Sequence, residues 1–230
     1  MKKIAILQSN YIPWKGYFDM INMVDEFILY DDMQYTKRDW RNRNKIQTPQ
    51  GLKWLSIPVE VKGKYFQKIN ETKVSDKDWA KKHWQQIVQN YKKAPYFKDY
   101  KNVFEKLYLN HNEEYLSQIN YKFIVSICNI LGITTKIIWS NEFKLIDGQT
   151  EKLLGICKDC HADIYLSGPA AKDYFDEELA TKEGIQVEWM DYSGYDEYKQ
   201  LHTPFEHGVT ILDLIFNEGP NAKKLMKSFD

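Results

Sequence analysis

The sequence predicts an α/β fold built on a mainly parallel sheet, with a helix-rich insertion in the middle of the chain. At both ends of the chain, short apolar runs alternate with segments of helical spacing, which is the pattern of βαβ units. Between them, residues 76–131 have helical spacing and no run that resembles a strand. We therefore expect an α/β core domain made of residues 1–75 and 132–230, and a helical insertion or lobe at residues 76–131.

The N-terminal elements predict a right-handed β-α-β unit. Residues 3–8 and 26–31 are apolar enough to form strands, and residues 14–24 place apolar side chains at helical spacing. Residues 36–50 have no apolar period and predict a long loop, which in a compact domain is typical of a functional segment. Residues 54–59 predict a third strand, and their proline indicates a sheet edge or a strand end.

The rest of the chain continues the alternation after a block of helices. A glycine at position 132 closes the last helix of that block, because glycine is the usual residue after a helix end. We expect helices at residues 79–91, 97–109, 112–131, 149–160 and 210–217, strands at residues 136–139, 163–167 and 186–190, and a loop with a short helix at residues 168–177.

Composition excludes several classes of partner. The 32 basic and 32 acidic residues cancel, so net charge favours neither nucleic-acid nor membrane binding. The apolar run after Met1 is too short for a signal peptide, and no segment approaches the roughly 18 apolar residues of a membrane span. We expect a cytoplasmic protein with no membrane insertion and with its three cysteines as thiols. The C-x-x-C-H match at residues 157–161 is expected to reflect helix packing, so no metal site is predicted.

A first group of candidate ligand-binding residues follows the first predicted strand. Parallel sheets bind ligands at the carboxyl ends of their strands, and side-chain amides can both donate to and accept from a sugar or a base. The alternative for this segment is a helix cap and a turn. The group contains Gln8, Asn10, Tyr11, Trp14 and Tyr17.

A second group, which contains Asp31, Asp32, Gln34 and Tyr35, follows the second predicted strand. Two carboxylates can hold a divalent ion, or one of them can act as a general base. Since neighbouring residues of a strand point to opposite faces, at most one of the two carboxylates should face a given pocket. A solvated turn is the alternative.

The predicted loop that follows carries an arginine-rich group, Arg41, Asn42 and Arg43. Guanidinium groups bind phosphate or carboxylate through paired hydrogen bonds. Close to a strand-end crevice, they indicate an anionic ligand such as a nucleotide diphosphate. An ordinary solvated surface is the alternative.

Further candidates lie later in the chain. Ser167 and Gly168, with Tyr174, follow a predicted strand and could offer backbone N–H groups to an anion, although a plain turn has the same pattern. His83 and His207 are candidate general bases. His83 lies on the aromatic face of a predicted helix, so a core position is its alternative.

Taken together, these motifs resemble the WbqC-like family over nearly the whole chain. Ser9 departs from the family pattern, which usually has proline after the glutamine. The resemblance implies a product of an O-antigen (lipopolysaccharide) or other surface-polysaccharide gene cluster. The residues that carry it are Gln8-x-Asn10-Tyr11-x-Pro13-Trp14-x-Gly16-Tyr17, Asp31-Asp32-x-Gln34-Tyr35, Arg41-Asn42-Arg43, Tyr91, Tyr96-Phe97, Tyr165-Leu166-Ser167-Gly168, Tyr174 and Ile211-Leu212-Asp213-Leu214-x-Phe216-Asn217-x-Gly219.

The first strand, Pro-Trp-Lys-Gly-Tyr, helix and second strand also resemble the opening of HIGH-type nucleotidyltransferases. This second resemblance implies a Rossmann-like sheet that binds a nucleotide-containing ligand. The two histidines of that signature are absent around Trp14 and Tyr17, so adenylyl transfer is not implied.

Three functions are open at this point. The WbqC-like resemblance implies a transferase that N-acylates a nucleotide-linked amino sugar from a thioester on coenzyme A or on an acyl carrier protein, with no tightly bound cofactor. No serine or cysteine nucleophile is evident, so the sugar amine would attack directly, with Asp31, Asp32, His83 or His207 as base. The alternatives are a nucleotidyl- or glycosyl-transferase whose Asp31 and Asp32 bind Mg²⁺ or Mn²⁺, and a non-enzymatic scaffold that binds a nucleotide sugar.

Overall fold

The strands and helices of the protein alternate along most of the chain. The structure, a computed structural model, describes residues 1–110 and 112–229. The strands are β1 (Lys3–Leu7), β2 (Glu26–Leu29), β3 (Arg43–Thr48), β4 (Gly51–Ser56), β5 (Lys136–Trp139), β6 (Ile164–Ser167) and β7 (Gln186–Trp189). The helices are α1 (Lys15–Asn22), α2 (Trp79–Tyr91), α3 (Phe97–Leu109), α4 (Leu116–Leu131), α5 (Thr150–Asp159), α6 (Glu177–Lys182) and α7 (Ile211–Glu218).

A five-stranded sheet forms the centre of the described residues. Its strands lie in the order β5-β2-β1-β6-β7, and each neighbouring pair is parallel. Ile4 pairs with Glu26 on one side of β1 and with Tyr165 on the other. This arrangement confirms the predicted α/β fold with a mainly parallel sheet.

Side chains alternate between the two faces of the central strands, and both faces are covered. Ala5 and Phe27 belong to the core on one face, while Ile4 and Ile28 belong to the core on the other. Helix α5 packs on this second face, and Cys157 in it is fully buried. Burial raises the pKa of the Cys157 thiol to about 12, so the cysteines of the C-x-x-C-H segment serve helix packing as expected.

The prediction of a long loop at residues 36–50 is wrong for the second half of this segment, which forms strand β3. Strands β3 and β4 make a separate antiparallel hairpin, with Arg43 opposite Ser56 and Thr48 opposite Gly51. The segment carries no apolar period because most of its buried side chains are polar. One of them, Asn44, donates from Nδ2 to the Ile12 carbonyl oxygen at 2.8 Å. The strand predicted at residues 54–59 therefore begins earlier and pairs in this hairpin, outside the central sheet.

Helices α2, α3 and α4 form the predicted helical block. Helix α4 begins four residues later than expected, and Gly132 closes it in the left-handed conformation, with a φ of 66°. The aromatic ring of Tyr11, in the loop after β1, lies 5.9 Å from that of Trp79 and 5.8 Å from that of Phe123. The block thus shares one hydrophobic core with the sheet, and its status as an insertion or separate lobe stays a prediction.

Among residues 1–110 and 112–229, no helix combines the length and the apolar character that crossing a membrane requires.

Candidate functional site

A cavity of about 590 Å³ opens at the carboxyl ends of β1 and β6, and we call it the strand-end cavity. Strands β1 and β6 are neighbours in the sheet, and the chain leaves them toward opposite edges, β2 on one side and β7 on the other. In parallel α/β sheets such a point leaves a crevice in which ligands bind. Its polar and aromatic lining consists of Gln8, Tyr30, Arg41, Gln149, Lys152, Tyr165, Ser167, Gly168 and Tyr174.

Arg41 is the central cation of this cavity. Its guanidinium group donates from Nη2 to Oε1 of Gln8 and from Nη1 to Oδ1 of Asn10. The Asp39 carboxylate lies 3.7 Å from Nη2, and the Arg41 side chain is only 14% exposed. Asp39 is therefore an ion-pair partner of Arg41, and the guanidinium charge also acts on the buried Asp31 carboxyl, while Lys152 adds a second cation to the lining.

A second cavity, of about 580 Å³, lies beside the first, and we call it the aromatic cavity. Trp14 forms much of its wall and packs against Tyr192 at 5.3 Å and Tyr195 at 5.5 Å between ring centroids. Aromatic walls with a few polar groups are typical of small-molecule sites. The lining residues are Asn10, Pro13, Trp14, Trp40, Asn44, Tyr192, Ser193, Gly194, Tyr195, His207 and Gly208.

His207 contributes an imidazole ring to the lining of the aromatic cavity. Its Nδ1 atom is buried and has no hydrogen-bond partner among the described residues. Its ring packs edge-on against Phe205, with 4.6 Å between centroids. A buried polar atom without a partner is rare in a folded protein, and in the wall of a cavity it indicates a place where a ligand group could complete the hydrogen bond.

One hydrogen bond joins the two cavities. Arg41 lines the strand-end cavity and Asn10 lines the aromatic cavity, and the two side chains are bonded to each other. Trp40, the residue before Arg41, also lines the aromatic cavity. The two cavities are therefore neighbours, with the Arg41–Asn10 pair between them.

The two tyrosines expected to bind substrate have packing roles in the structure. Tyr11 is fully buried, and its hydroxyl lies 2.9 Å from Nδ1 of His83 and 2.7 Å from the hydroxyl of Tyr108. Tyr17 is buried too, and its hydroxyl donates to the backbone oxygen of Gln8 at 3.0 Å. Neither ring lines the strand-end cavity or the aromatic cavity, so both support the loop that carries Gln8 and Asn10.

His83, expected as a general base, lies in the core at the same place. Its Nε2 donates to the Ser56 carbonyl oxygen at 3.2 Å, which leaves Nδ1 to accept from the Tyr11 hydroxyl. Burial lowers the pKa of His83 to about 4, so the ring is neutral. The structure gives His83 a structural role, as its alternative interpretation stated.

Asp31 also belongs to a buried network. Its Oδ1 accepts from the Ser9 amide at 2.8 Å, and its Oδ2 accepts from the hydroxyls of Ser9, at 2.7 Å, and of Ser117. Burial raises the pKa of Asp31, while the serine hydrogen bonds act against that shift. Ser9, where the WbqC-like pattern has proline, is thus an anchor for this carboxylate.

Asp32 points away from Asp31, as expected for neighbours at a strand end. Its carboxylate accepts from Oγ of Ser140 at 2.7 Å, from Nδ2 of Asn70 at 3.2 Å and from Nζ of Lys68 at 3.4 Å. Neither aspartate lines the strand-end cavity or the aromatic cavity. The paired carboxylates therefore lie behind the cavity walls, where the charge of Arg41 opposes the rise in the pKa of Asp31.

The remaining expected residues are divided among several places. Gln34 is exposed and donates to the Tyr65 carbonyl oxygen at 2.8 Å, and it lines a third hollow together with Tyr35, away from Arg41. Asn42 is buried and donates to the Ile57 carbonyl oxygen at 2.8 Å. Arg43 lies on the outer face of the hairpin. Ser167, Gly168 and Tyr174 line the strand-end cavity.

Several lining residues were not identified from the sequence. Lys152 lies on α5, within an ordinary amphipathic pattern, and Tyr192 and Tyr195 follow β7 in a segment without regular structure. Asn44 lies in the segment that the sequence predicts to be a loop, although it belongs to strand β3. The pair of tyrosines around Ser193 and Gly194 was the available signal, because aromatic residues beside a glycine turn often mark a binding loop.

The chain is similar to known proteins over nearly its whole length. A model of the WbqC-like protein family matches residues 8–225. The chain belongs to the WbqC-like protein family. It is also 50% identical over 227 residues to a protein of Mycobacterium tuberculosis (strain ATCC 25618 / H37Rv) described as "Uncharacterized protein Rv1507c", a match that covers 99% of this chain and 98% of that relative. No solved structure matches.

The family match includes the main functional candidates of this WbqC-like chain. Gln8, Arg41 and His207 all lie within the matched residues. Among residues 1–110 and 112–229, no group of three or more His, Cys, Asp or Glu side chains is placed to hold a metal ion.

Proposed function

We propose that this WbqC-like protein is a cytoplasmic transferase of surface-polysaccharide biosynthesis that acylates the amine of a nucleotide-linked amino sugar. The observation that carries the proposal is Arg41, held by Gln8 and Asn10 between the strand-end cavity and the aromatic cavity. It is a nearly buried cation at the point of the sheet where nucleotides bind in related architectures.

The sheet supports the nucleotide half of the proposal. Counted along the chain, the strands of the central sheet follow the order 3-2-1-4-5, which is the order of Rossmann-like sheets. In those sheets the nucleotide lies at the carboxyl ends of the strands corresponding to β1 and β6. A Rossmann-like fold is therefore part of the proposal.

The lining of the strand-end cavity fits a nucleoside diphosphate. Arg41 and Lys152 supply positive charge, and Tyr30 and Tyr174 supply aromatic rings. A Cβ atom added to Gly168 would meet no other atom within 4 Å, so the backbone at the end of β6 is open to the cavity. We assign the diphosphate to Arg41 and Lys152, and the base to the tyrosine side of the cavity.

The aromatic cavity fits the sugar and the reacting amine. Asn10 accepts from Arg41 through Oδ1, which leaves its Nδ2 group to donate to a ligand. The amine attacks the carbonyl carbon of a thioester, so a C–N bond forms while the C–S bond breaks and the electron pair leaves on sulfur. His207 takes the amine proton at Nδ1 and returns it to the thiolate, and Asn10 Nδ2 donates to the oxyanion. The products are an amide and a free thiol.

A calorimetric titration of nucleoside diphosphates tests the proposal. We expect at least one of UDP, dTDP, CDP and GDP to bind, and the matching amino sugar, for example UDP-glucosamine, to bind more tightly than its hexose counterpart. Arg41→Gln should weaken binding about tenfold or more, because a charge-assisted contact contributes about 1.5–3 kcal/mol. Arg43→Gln, two residues away, is the matched control and should leave the affinity unchanged. Absence of binding by every diphosphate would contradict the proposal.

A further inference from the structure

The outer face of the β3–β4 hairpin carries two cations packed on two indole rings. The guanidinium carbon of Arg43 lies 4.1 Å from the ring centroid of Trp54. The Lys45 ammonium group lies 5.4 Å from the Trp54 ring and 5.8 Å from the Trp40 ring, and the two indoles are 5.4 Å apart. We call these four residues the cation–indole face.

The hairpin places these side chains together. Arg43 and Lys45 are two residues apart on β3, so they point to the same side, and Lys45 pairs directly with Trp54 on β4. Both indoles are 40% exposed. The face is therefore open to solvent and aromatic, and it has positive charge at two points.

The two cations of this face form no ion pair in the part of the chain that the structure describes. One carboxylate, Glu206, lies near Lys45, since both side chains approach Gly208. The Arg43 guanidinium group donates a hydrogen bond from Nη2 to the Arg38 carbonyl oxygen. Unpaired cations held on aromatic rings are suited to bind the phosphates of a ligand.

The cation–indole face continues into the aromatic cavity. Trp40 belongs to both. A Cβ atom on Gly208, which lines the cavity, would stand 3.9 Å from Nζ of Lys45, so this ammonium group lies at the rim. The Glu206 carboxylate lies at the same rim, where it accepts from the Gly208 amide at 2.8 Å. A ligand on the face can thus reach His207 through the cavity.

We propose that the cation–indole face binds the acyl donor, and that this donor is a coenzyme A thioester. The inference rests on the proposed function, since it takes His207 and the aromatic cavity as the place of acyl transfer. The donor phosphates lie against Arg43 and Lys45, and its adenine stacks on the exposed indoles. Its pantetheine arm enters the aromatic cavity and delivers the thioester carbonyl to the sugar amine beside His207.

The separation of Arg41 from Arg43 supports two anionic substrates. Arg41 lines the strand-end cavity, whereas Arg43 lies on the hairpin, so each can serve a different group of phosphates. A thioester on a carrier protein brings one phosphodiester and no purine. Two unpaired cations beside two half-exposed indoles match a ligand with several phosphates and a base, which is coenzyme A.

Titration of coenzyme A into the full chain tests this inference, with quenching of tryptophan fluorescence as a second readout. We expect binding by the wild-type protein and a loss of about tenfold in Arg43→Gln and in Lys45→Gln. Lys53 is a cation of the same hairpin, and its Nζ donates to Gln86. Lys53→Gln is therefore the matched control and should bind coenzyme A normally. Pantetheine, which lacks phosphates and adenine, should bind at least tenfold more weakly than coenzyme A.

Two outcomes would overturn the inference. Equal affinity for coenzyme A in the wild type and in the Arg43 and Lys45 variants, all shown to be folded by circular dichroism, would remove this face as the donor site. Turnover with a carrier-protein thioester and none with coenzyme A thioesters would refute the choice of donor. Failure of this inference can be distinguished from failure of the proposed function, because nucleoside diphosphate binding and its loss in Arg41→Gln are measured separately.

Discussion

At the scale of single residues, His207 and His83 show how surroundings separate two histidines that the sequence could not rank. His83 has both ring nitrogens bonded inside the core, to Tyr11 and to Ser56. His207 has a buried Nδ1 atom without a partner among the described residues, and it lines a cavity. Only the second arrangement leaves a ring nitrogen without a hydrogen-bond partner.

Replacement of His207 by glutamine should slow acyl transfer and leave binding intact. A positioned general base contributes about 10²–10⁴-fold to a rate, so we expect kcat to fall within that range. Single-turnover kinetics with a thioester donor and the amino sugar would measure it. His202, whose Nε2 lies 3.0 Å from the Asn90 carbonyl oxygen, is the matched histidine, and His202→Gln should retain the wild-type rate. An unchanged kcat in His207→Gln would exclude this base.

The buried neutral state of His83 should make stability depend on pH. Its pKa is about 4 in the folded protein and about 6.5 in the unfolded chain. As pH falls from 6.5 to 4, the unfolded state takes up a proton that the folded state does not. The free energy of unfolding should therefore decrease, by at most about 3 kcal/mol from this group. The contribution is complete above pH 6.5 and is lost as pH falls.

Urea denaturation of the wild type and of His83→Gln between pH 7 and pH 4.5 would measure this dependence. Glutamine can still accept from Tyr11 and donate to Ser56, and it does not titrate. The difference in the free energy of unfolding between the wild type and His83→Gln should narrow as pH falls. The raised pKa values of buried Asp31 and Asp213 act equally in both proteins. Parallel curves would show that His83 is not held neutral.

The sequence predicted some of the residues that line the two cavities and misplaced others, for physical reasons. Gln8 and Asn10 were predicted because they follow a strand of a parallel sheet, where the fold itself forms a crevice, and Arg41 because its loop lies close to that strand end. Tyr11 was not separated from them, because spacing in an irregular loop does not show which side chain turns inward. The aromatic cavity depends on contacts between Trp14 and Tyr195, which are far apart in the chain, and no local pattern contains such a contact.

At the scale of elements, the Asp31 network ties the ends of β1 and β2 to helix α4. Ser9 follows β1, Asp31 follows β2 and Ser117 lies in the first turn of α4. The two serines both donate to the Asp31 carboxylate. Asn120 of α4 adds a bond from Nδ2 to the Arg41 carbonyl oxygen at 2.8 Å. The network fixes the backbone on both sides of the site.

Removal of the Asp31 side chain should therefore cost stability. Asp31→Ala leaves the Ser9 amide and two hydroxyls without their acceptor, and we expect a loss of about 3 kcal/mol in the free energy of unfolding. Asp31→Asn keeps an acceptor for the Ser9 amide and should lose less than half as much. Urea denaturation would measure both. A stable Asp31→Asn protein with no turnover would instead return Asp31 to the catalytic step.

Element prediction succeeded where period and burial agreed, and failed at the hairpin. Helices α2 and α3 were predicted at their observed bounds, because each presents a clear apolar stripe. Strand β3 was missed because three of its four buried residues, Asn44, Gln47 and Thr48, are polar and only Ile46 is apolar. A hydrophobic pattern cannot report a strand with a single apolar buried residue.

At the scale of the whole molecule, one hydrophobic core connects the sheet with the helical block. Tyr11 and Phe18 from the N-terminal unit belong to the same cluster as Trp79, Phe104 and Phe123 from the helices. A helical block that formed a separate lobe would need a core of its own. The shared cluster instead couples the stability of residues 76–131 to that of the sheet.

Unfolding should accordingly be a single transition. We expect the calorimetric and van't Hoff enthalpies of thermal unfolding to agree, as they do for one cooperative unit. Near-ultraviolet circular dichroism, which reports the tryptophans of both parts, should follow the same curve as the far-ultraviolet signal. Two resolved transitions would show that residues 76–131 fold as an independent domain.

The position of Arg41 between the two cavities links the binding of the two proposed substrates energetically. A diphosphate that engages Arg41 competes with the amide oxygens of Gln8 and Asn10, and so alters the polar wall that the donor meets. Binding of each substrate must then change the affinity for the other by the same factor. Titrating coenzyme A with and without the diphosphate, and the reverse, should give equal ratios in the wild type. In Arg41→Gln both ratios should be one, since the shared cation that connects the two equilibria is gone.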